Sequence, residues 1–388
     1  MMAIYLDNAA SSFPKAPGVA AAVCDYIENV GCNVNRGGYV KAYGAAAVVL
    51  ETRELLAELF HFSAAQNVIF TANVTVALNF LIKGLLAEGG HMLVSQIEHN
   101  AVMRPLQQMV GERGASFDRI PCDSAGRPDL SQIEPLLRQN TKAVVITHAS
   151  NVAGTILPIG QIGEICLRRG VPLIVDAAQT AGCVDIDMQR DHISALAFTG
   201  HKGLLGPQGT GGFVLTDQLA EKLPPLLSGG TGSFSDQEDY PLLLPDKYEP
   251  GTPNLPGIYG LHAALLYLKS QGVATIRRGE MALWQRFYEG CTALAQVRII
   301  GCGAAADSVA VLSLDFPGRD NAELAYLLDQ RYQIMTRCGI HCAPSAHRCF
   351  GTFPQGTVRF SISHFNTAAE IDQTLIALRQ LLAQGAGV

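Results

Sequence analysis

Short runs of apolar residues that end in polar residues recur along the first two thirds of the chain. These runs predict strands at Asn67–Thr71, Met92–Ser95, Ala143–Thr147, Val171–Asp176, a segment ending at Thr199, and Gly211–Thr216. Helical patterns separate most of them. Strands that are apolar on both faces, with helices between them, are typical of a mostly parallel sheet covered on both sides. The pattern therefore predicts an α/β fold.

The predicted helices begin near residues 18, 45, 75, 100 and 159 and end near residues 30, 60, 88, 111 and 169. Residues 224–257 are rich in Pro, Gly and Ser, which predicts an irregular connection. A helix over 257–271 then opens a succession of strands and helices at Val309–Leu314, Asn321–Arg331, Thr357–Ile362 and Thr367–Leu382. Thr367 and Glu370 have the spacing of a capping box at the start of the last helix.

A chain of 388 residues is longer than one compact core normally covers. We expect two units from the change of pattern after the irregular connection. Residues 18–256 form a large domain in this interpretation. Residues 1–17 and 257–388 form a smaller α/β domain.

The amino-acid composition argues against several classes of function. The net charge of −6, without a block of like charge, argues against nucleic acid or an anionic membrane as the main partner. The ten cysteines include no Cys-x-x-Cys pair, so we expect no metal site of the zinc-ribbon type. No apolar run approaches the ~20 residues of a membrane span, and residues 1–7 do not resemble a secretion signal. We expect a cytoplasmic protein whose cysteines are thiols.

Polar residues end five of the predicted strands, at Thr71, Ser95, Thr147, Asp176 and Thr199. Ligands of open α/β sheets bind beyond the carboxyl ends of the strands. The side chains that follow these ends are therefore the candidates for a functional site.

Lys202 follows the strand that ends at Thr199. A lysine that loses hydration there has a lowered pKa and becomes a nucleophile toward an aldehyde; the alternative is an ordinary solvated loop lysine. Another junction, at Val74 and Thr75, offers backbone N–H groups and a hydroxyl to an anion at a helix start. The alternative there is a plain N-cap by Asn73 or Thr75.

Several of these candidates together indicate pyridoxal phosphate. That cofactor needs a lysine for its Schiff base and a carboxylate beside its pyridine nitrogen. It also needs a flat side chain over the ring and a phosphate seat at a helix N-terminus. Lys202, Asp176, His99 and the Val74–Thr75 turn supply these groups.

The motifs of the chain resemble those of class V (fold-type I) pyridoxal-phosphate enzymes, and within them the cysteine desulfurases and selenocysteine lyases. The resemblance covers nearly the whole chain, at Tyr5–Ala10, Asn35–Gly37, Glu98–Ala101, Thr147–Thr155, Val175–Gln179, Thr199–Lys202, Gly251–Asn254 and Arg359–Ser361. It implies a large domain with a mostly parallel seven-stranded sheet and a small α/β domain. One departure is Val74, which stands where the family commonly has a hydroxyl residue.

The resemblance implies how the cofactor is held. Lys202 forms the Schiff base and later moves the α-proton, Asp176 pairs with the pyridine nitrogen, and His99 stacks on the ring. Gln179 lies near the phenolic oxygen. The phosphate seat is implied to consist of the Val74 backbone, Thr75, Thr199, His201 and Thr252. Thr252 is implied to reach the site of a neighbouring subunit, so we expect a homodimer with shared sites.

The substrate side of the site is implied by two further matches. Asn151 and Arg359 resemble the pair that binds the substrate carboxylate, a task that suits an arginine fork. Arg36, in a polar loop, is a candidate for additional charge at the site. These residues make a free amino acid the expected substrate.

Cys342 indicates which amino acid is the substrate and which reaction takes place. The segment Arg337–Ala343 reads Arg-x-Gly-x-His-Cys-Ala and resembles the short-loop (group II) desulfurases. Cys342 is then the nucleophile that takes sulfur from L-cysteine as a persulfide, and L-selenocysteine is an alternative substrate. A protein that accepts the sulfur is a further expected partner.

Other cysteines and other activities stay open at this stage. Cys338 and Cys349 are candidates for auxiliary thiols, and Arg337 and His341 are expected to be cationic neighbours that favour the Cys342 thiolate. Another class V reaction, such as transamination or a different β-elimination, is the first alternative. A regulatory protein that kept the fold without the chemistry is the second.

Overall fold

The structure is a computed structural model, and it describes residues 3–34, 37–233, 236–301 and 303–383. The predicted Arg36 lies outside the described residues. Within the described residues, no helix is long and apolar enough to cross a membrane.

A seven-stranded sheet forms the centre of the larger part of the chain. Its strands, in chain order, are β2 (Val68–Thr71), β3 (His91–Ser95), β4 (Ser116–Ile120), β5 (Thr141–Thr147), β6 (Leu173–Asp176), β7 (Ala195–Thr199) and β8 (Gly211–Leu215). Their spatial order is β2-β8-β7-β6-β5-β3-β4, and β8 runs opposite to the other six strands. The predicted mostly parallel sheet is confirmed.

Helices cover both faces of this sheet. Those of the larger part are α1 (Val19–Asp25), α2 (Val40–Leu59), α3 (Val74–Leu85), α4 (Asn100–Arg113), α5 (Ile133–Leu136), α6 (Ile159–Arg169) and α7 (Asp217–Lys222). Helix α8 (Leu255–Gln271), which the sequence pattern assigns to the smaller domain, packs against α1 and α2 of the larger part. Successive residues of one strand enter different hydrophobic clusters: Leu93 packs into one, and Met92 and Val94 pack into the other. The strands are therefore buried from both sides, as their apolar runs predict.

A four-stranded antiparallel sheet organises the C-terminal part. Its strands are β9 (Arg298–Ile300), β10 (Val311–Asp315), β12 (Arg337–Gly339) and β13 (Thr357–Ser361), in the order β12-β13-β10-β9. The N-terminal β1 (Ile4–Tyr5) pairs with β11 (Ile334–Met335) beside it. Helices α9 (Val273–Thr292), α10 (Asn321–Tyr332), α11 (Pro344–Cys349) and α12 (Ala368–Ala383) complete this part. It has its own hydrophobic core, centred on Trp284 and Phe360.

The predicted capping box of the last helix is confirmed. The Glu370 carboxylate accepts a hydrogen bond from the Thr367 N–H at 2.7 Å, and the Thr367 hydroxyl accepts one from the Glu370 N–H at 3.3 Å. These contacts pair N–H groups that an uncapped helix start would leave without partners.

Candidate active site

Adjacent parallel strands bring the predicted site residues to one edge of the large sheet. Strands β7, β6, β5 and β3 lie side by side and point the same way. The residues at or beyond their carboxyl ends are, in that order, Lys202, Asp176, Asn151 and His99. Side chains separated by up to 103 positions in the sequence thus share one edge.

Lys202 is half-buried in the turn after β7. Burial lowers the pKa of its amine to about 8, and the positive charges of Arg359 and Arg337 act in the same direction, while Asp176 opposes them. In the described part of the chain no hydrogen-bond partner is found for its Nζ. The amine is therefore poised to react and is not tied to another side chain.

Asp176 ends β6 and is buried, with 3% of its surface exposed. Its Oδ1 accepts a hydrogen bond from the Ala178 N–H at 2.9 Å. Burial raises the pKa of this carboxyl, and the Ala178 hydrogen bond and the charge of Lys202 counteract that effect. Nearby, the Gln179 amide donates to the carbonyl of Ala9 at 3.1 Å, which ties this edge to the N-terminal segment.

His99 caps the first turn of α4. Its Nδ1 accepts a hydrogen bond from the Ala101 N–H at 3.0 Å. Burial lowers the pKa of the imidazole to about 4, and the positive charge of Lys202 adds to that effect. The ring is therefore neutral at pH 7 and carries its proton on Nε2.

The start of α3 forms a pocket of backbone donors at the same edge. Asn73 is the N-cap, since its side chain accepts a hydrogen bond from the Val76 N–H at 3.1 Å. Within the described residues, no acceptor is found for the N–H groups of Val74 and Thr75. Gly211 permits this arrangement, because a Cβ at that position would lie 2.7 Å from the Asn73 Cα. The junction therefore has a cap by Asn73 and backbone donors without acceptors, and anion binding by those donors stays a prediction.

The other predicted phosphate contacts differ in their surroundings. Thr199 is buried at the end of β7, next to β8. His201 has a buried Nδ1 that lacks a partner in the described residues, and burial lowers the pKa of its ring to about 4. Thr252 is exposed and lines a cavity together with Ala72 and Val76, near the start of α3. Its contact with a neighbouring subunit stays a prediction.

Arg359, in the middle of β13, points into the contact region between the two parts of the chain. Its guanidinium is 3% exposed, donates from Nη1 to the carbonyl of Asn151 at 3.0 Å, and donates from Nη2 to Asp7 Oδ1 at 3.0 Å. Its Nε is buried and has no partner among the described residues. A buried N–H without an acceptor is costly, and a substrate carboxylate would satisfy it.

Hydrogen bonds from Asn100, at the start of α4, and from Asn151, in the turn beyond β5, hold the backbone around Cys342 at this edge. The Cys342 carbonyl accepts a hydrogen bond from the Asn100 N–H at 2.8 Å, and the His341 carbonyl accepts one from the Asn151 side chain at 2.7 Å. His341 and Cys342 have φ angles of 46° and 56°. This left-handed conformation costs roughly 1 kcal/mol or more for each non-glycine residue. The Cys342 side chain is exposed.

The expectation that His341 is cationic is wrong. Burial lowers the pKa of its imidazole to about 2, and the nearby charge of Arg359 contributes. The ring is neutral and its Nε2 lies 3.1 Å from the Thr357 hydroxyl. Arg337, the other expected cation, does lie near this segment, although Asp7 binds its guanidinium.

Comparisons with known proteins agree with this geometry. Residues 4–374 match the family model described as "Aminotransferase class-V". The chain belongs to the class-V aminotransferase family. The resemblance inferred from the motifs is therefore confirmed.

Relatives of this class-V aminotransferase chain carry one recurring name. A "Probable cysteine desulfurase" from Methanothermobacter thermautotrophicus is 31% identical over 386 residues, which cover 98% of this chain and 95% of the relative. The apo structure of a cysteine desulfurase from Thermococcus onnurineus has a TM-score of 0.91 at 30% identity, covering 98% and 95% of the two chains. The structure of the cysteine desulfurase CsdA (S-sulfonic acid) from Escherichia coli has a TM-score of 0.89 at 26% identity, with the same coverage.

Two residues of this class-V chain were not singled out by the motifs although they lie at the site. Asp7 contacts both Arg337 and Arg359. Glu98, directly before His99, is fully buried, and its Oε1 accepts hydrogen bonds from the Ser95 hydroxyl and the Thr147 N–H. Both residues lie inside segments that resemble the family motifs, and that resemblance is the sequence signal that could have identified them.

Glu98 is expected to make the stability of this class-V chain depend on pH. Burial raises the pKa of its carboxyl to about 8, against the opposing effect of hydrogen bonds from Ser95 and Thr147. Between about pH 4.5 and pH 8 the folded chain holds a proton that the unfolded chain has lost, so stability falls as pH rises. Glu98→Gln removes this dependence. Relative to wild type, the variant should gain about 2 kcal/mol between pH 5.5 and 7.5.

Denaturant melts of both proteins at the two pH values measure this difference. Glu88→Gln, at an exposed position, is the matched control and should show no such gain. An equal pH dependence in wild type and Glu98→Gln would show that Glu98 is not held neutral.

Proposed function

We propose that the chain is a pyridoxal-phosphate-dependent cysteine desulfurase, which converts L-cysteine to L-alanine and takes the sulfur onto Cys342 as a persulfide. One observation carries the proposal: Asn100, at the start of α4, and Asn151, in the turn beyond β5, hold the backbone at His341 and Cys342, so that an exposed cysteine lies at the edge that bears Lys202. A class-V aminotransferase that only moves amino groups has no need of a thiol there.

The residues present fit the cofactor. The Lys202 amine has a lowered pKa and no partner in the described residues. Asp176 offers a buried carboxylate to a protonated ring nitrogen, and His99 offers a neutral flat ring. Unpaired donors at Val74, Thr75 and His201 Nδ1 suit a phosphate, and Thr199 and Gln179 complete the contacts. Class-V aminotransferases are pyridoxal-phosphate enzymes, which supports the same assignment.

The protein groups then have distinct tasks. Bound pyridoxal phosphate would withdraw electrons from the substrate Cα and so acidify its Cα–H bond. Lys202, with a pKa near the working pH, removes this proton as its free amine and can return it. The buried carboxylate of Asp176 would pair with the protonated ring nitrogen of the bound cofactor. The Nε2–H of His99 supplies a further proton donor at the same edge.

Substrate orientation and sulfur transfer fall to residues of both parts of the chain. Arg359 and Asn151 bind the substrate carboxylate, and the free Nε of Arg359 is the available donor. The Cys342 thiolate attacks the substrate sulfur, the Cβ–S bond breaks, and Cβ takes up a proton. L-cysteine and the Cys342 thiol thus yield L-alanine and a Cys342 persulfide, with atoms and electrons balanced.

The expected partner proteins and cellular compartment of the chain follow from this chemistry. The persulfide forms on an exposed residue, so a separate acceptor protein can remove it. A homodimer in which Thr252 completes the phosphate seat of the partner site is part of the proposal. The described cysteines are free thiols, which suits the reducing cytoplasm.

Product analysis tests the proposed function. Protein loaded with pyridoxal phosphate is incubated with L-cysteine or L-selenocysteine and a thiol reductant, and alanine, sulfide and selenide are quantified. Alanine and sulfide in a 1:1 ratio are expected from L-cysteine. Pyruvate and ammonia in place of alanine would identify a β-lyase, and a keto acid that depends on an added amino acceptor would identify an aminotransferase. Turnover of L-selenocysteine alone would identify a selenocysteine lyase.

A further inference from the structure

Asp7 connects the N-terminal segment to two arginines at the substrate end of the site. Its carboxylate accepts hydrogen bonds from Arg337 Nε at 3.1 and 3.0 Å and lies 2.9 Å from Arg337 Nη2. It also accepts one from Arg359 Nη2 at 3.0 Å. A parallel bridge between Asp7 and Ser361 fixes its backbone against β13. The carboxylate is therefore held by backbone and side chains together.

The two arginines are neighbours because of strand register. Arg337 on β12 is paired with Arg359 on β13. Arg359 is buried, and the Arg337 side chain is 51% exposed. Two guanidinium groups at paired positions repel each other. Asp7 lies between them, and the cluster of Asp7, Arg337 and Arg359 therefore carries one net positive charge.

The hydrogen bonds of Asp7 also determine which donors of Arg359 remain available. Its Nη1 is engaged by the carbonyl of Asn151 and its Nη2 by Asp7, while Nε has no acceptor in the described residues. Removing Asp7 would free a second edge of the guanidinium and raise the local charge to +2. The cluster then would suit a ligand with two anionic groups.

We propose that Asp7 is a positioning and specificity-determining residue: it orients Arg359 and limits the cluster to one net positive charge, so that the site prefers amino acids with an uncharged side chain. This inference rests on the proposed function in one respect, since it requires that Arg359 bind the carboxylate of an amino acid. L-cysteine has such a side chain when its thiol is protonated. An amino acid with a second acidic group brings two negative charges, whereas the cluster of Asp7, Arg337 and Arg359 offers only one net positive charge.

L-asparagine and L-aspartate provide the test, because they differ little in shape and by one charge. The dissociation constant of each is measured by absorbance titration of protein loaded with pyridoxal phosphate, and the ratio Kd(Asn)/Kd(Asp) is compared. Asp7→Asn, which keeps the shape and removes the charge, should raise this ratio about tenfold. Arg337→Gln should lower it about threefold, since that charge is half-exposed and screened.

A structural role alone would weaken both ligands equally and leave the ratio unchanged. Asp372→Asn is the control, because Asp372 forms a similar two-point pair with Arg286 at an exposed position; its ratio should equal that of wild type. A ratio in Asp7→Asn within twofold of wild type would overturn the proposal, as would shifts of the same sign in Asp7→Asn and Arg337→Gln. Wild-type protein that binds L-asparagine no better than L-aspartate would also overturn the proposal, whereas wild-type protein that does not bind L-cysteine in the same titration would contradict the proposed function.

Discussion

Lys202→Ala is expected to abolish covalent attachment of pyridoxal phosphate and to lower the rate of alanine formation from L-cysteine by about a thousandfold or more. The substitution removes both the amine that attaches the cofactor and the base that moves the α-proton. Borohydride reduction, digestion and mass spectrometry locate the attached cofactor. Alanine formation is measured in the same preparation.

Lys15 provides a matched control for this variant. Burial lowers the pKa of Lys15 to about 8, the same value as for Lys202. The Lys15 amine, however, donates to the carbonyl of His201 at 3.0 Å and to the hydroxyl of Ser12 at 3.1 Å. We therefore expect Lys15→Ala to keep the attached cofactor on Lys202. Attachment that survives in Lys202→Ala, or a label on Lys15 in wild type, would refute the assignment.

Cys342→Ala is expected to reduce sulfide and alanine formation from L-cysteine by about a hundredfold or more, with attachment of the cofactor unchanged. The variant lacks the group that accepts the sulfur. Alanine keeps a Cβ, so the cost of the left-handed backbone at φ 56° is the same in both proteins. The effect then reports the thiol and not the loop conformation. Initial rates of both products and the absorbance spectrum of the cofactor measure it.

Cys338→Ala is the companion to this experiment. Cys338 is also an exposed free thiol, on β12, four positions before Cys342. Asn100 and Asn151 contact the segment at residues 341 and 342 and not at Cys338. Cys338→Ala should keep more than about half of the activity. Full activity in Cys342→Ala would remove Cys342 from the reaction, and an equal loss in both variants would leave the sulfur acceptor unassigned to either one.

The strands of the large sheet were predictable because burial on both faces leaves apolar runs in the sequence. Strand β4 and helix α9 are among the elements that escaped this signal. Strand β4 lies at the edge of the sheet and includes the charged residues Asp118 and Arg119. Helix α9 buries only one side, with Trp284 and Phe287 among its buried residues, and exposes many polar ones. Elements with one solvent face depend on their tertiary position more than on their hydrophobicity.

Motif matching found the chemical groups of the candidate site, and their roles remain predictions. Lys202, Asp176 and His99 could be inferred because each lies at or beyond a strand end, and the parallel sheet places those ends together. The protonation state of His341 could not be inferred, since it depends on burial among groups that are distant in sequence. The same is true of Glu98, whose neighbours include Thr147.

The sequence by itself determined the α/β fold, the edge of the sheet that bears the candidate site, and the family. Only the tertiary structure decided how Asp7, Arg337 and Arg359 share their charges, and how Asn100 and Asn151 hold the backbone around Cys342. The physical reason is the distance along the sequence over which each property depends. Hydrophobic period and strand ends are local properties of the chain, whereas desolvation and hydrogen bonding at the site depend on residues more than 300 positions apart, such as Asp7 and Arg359.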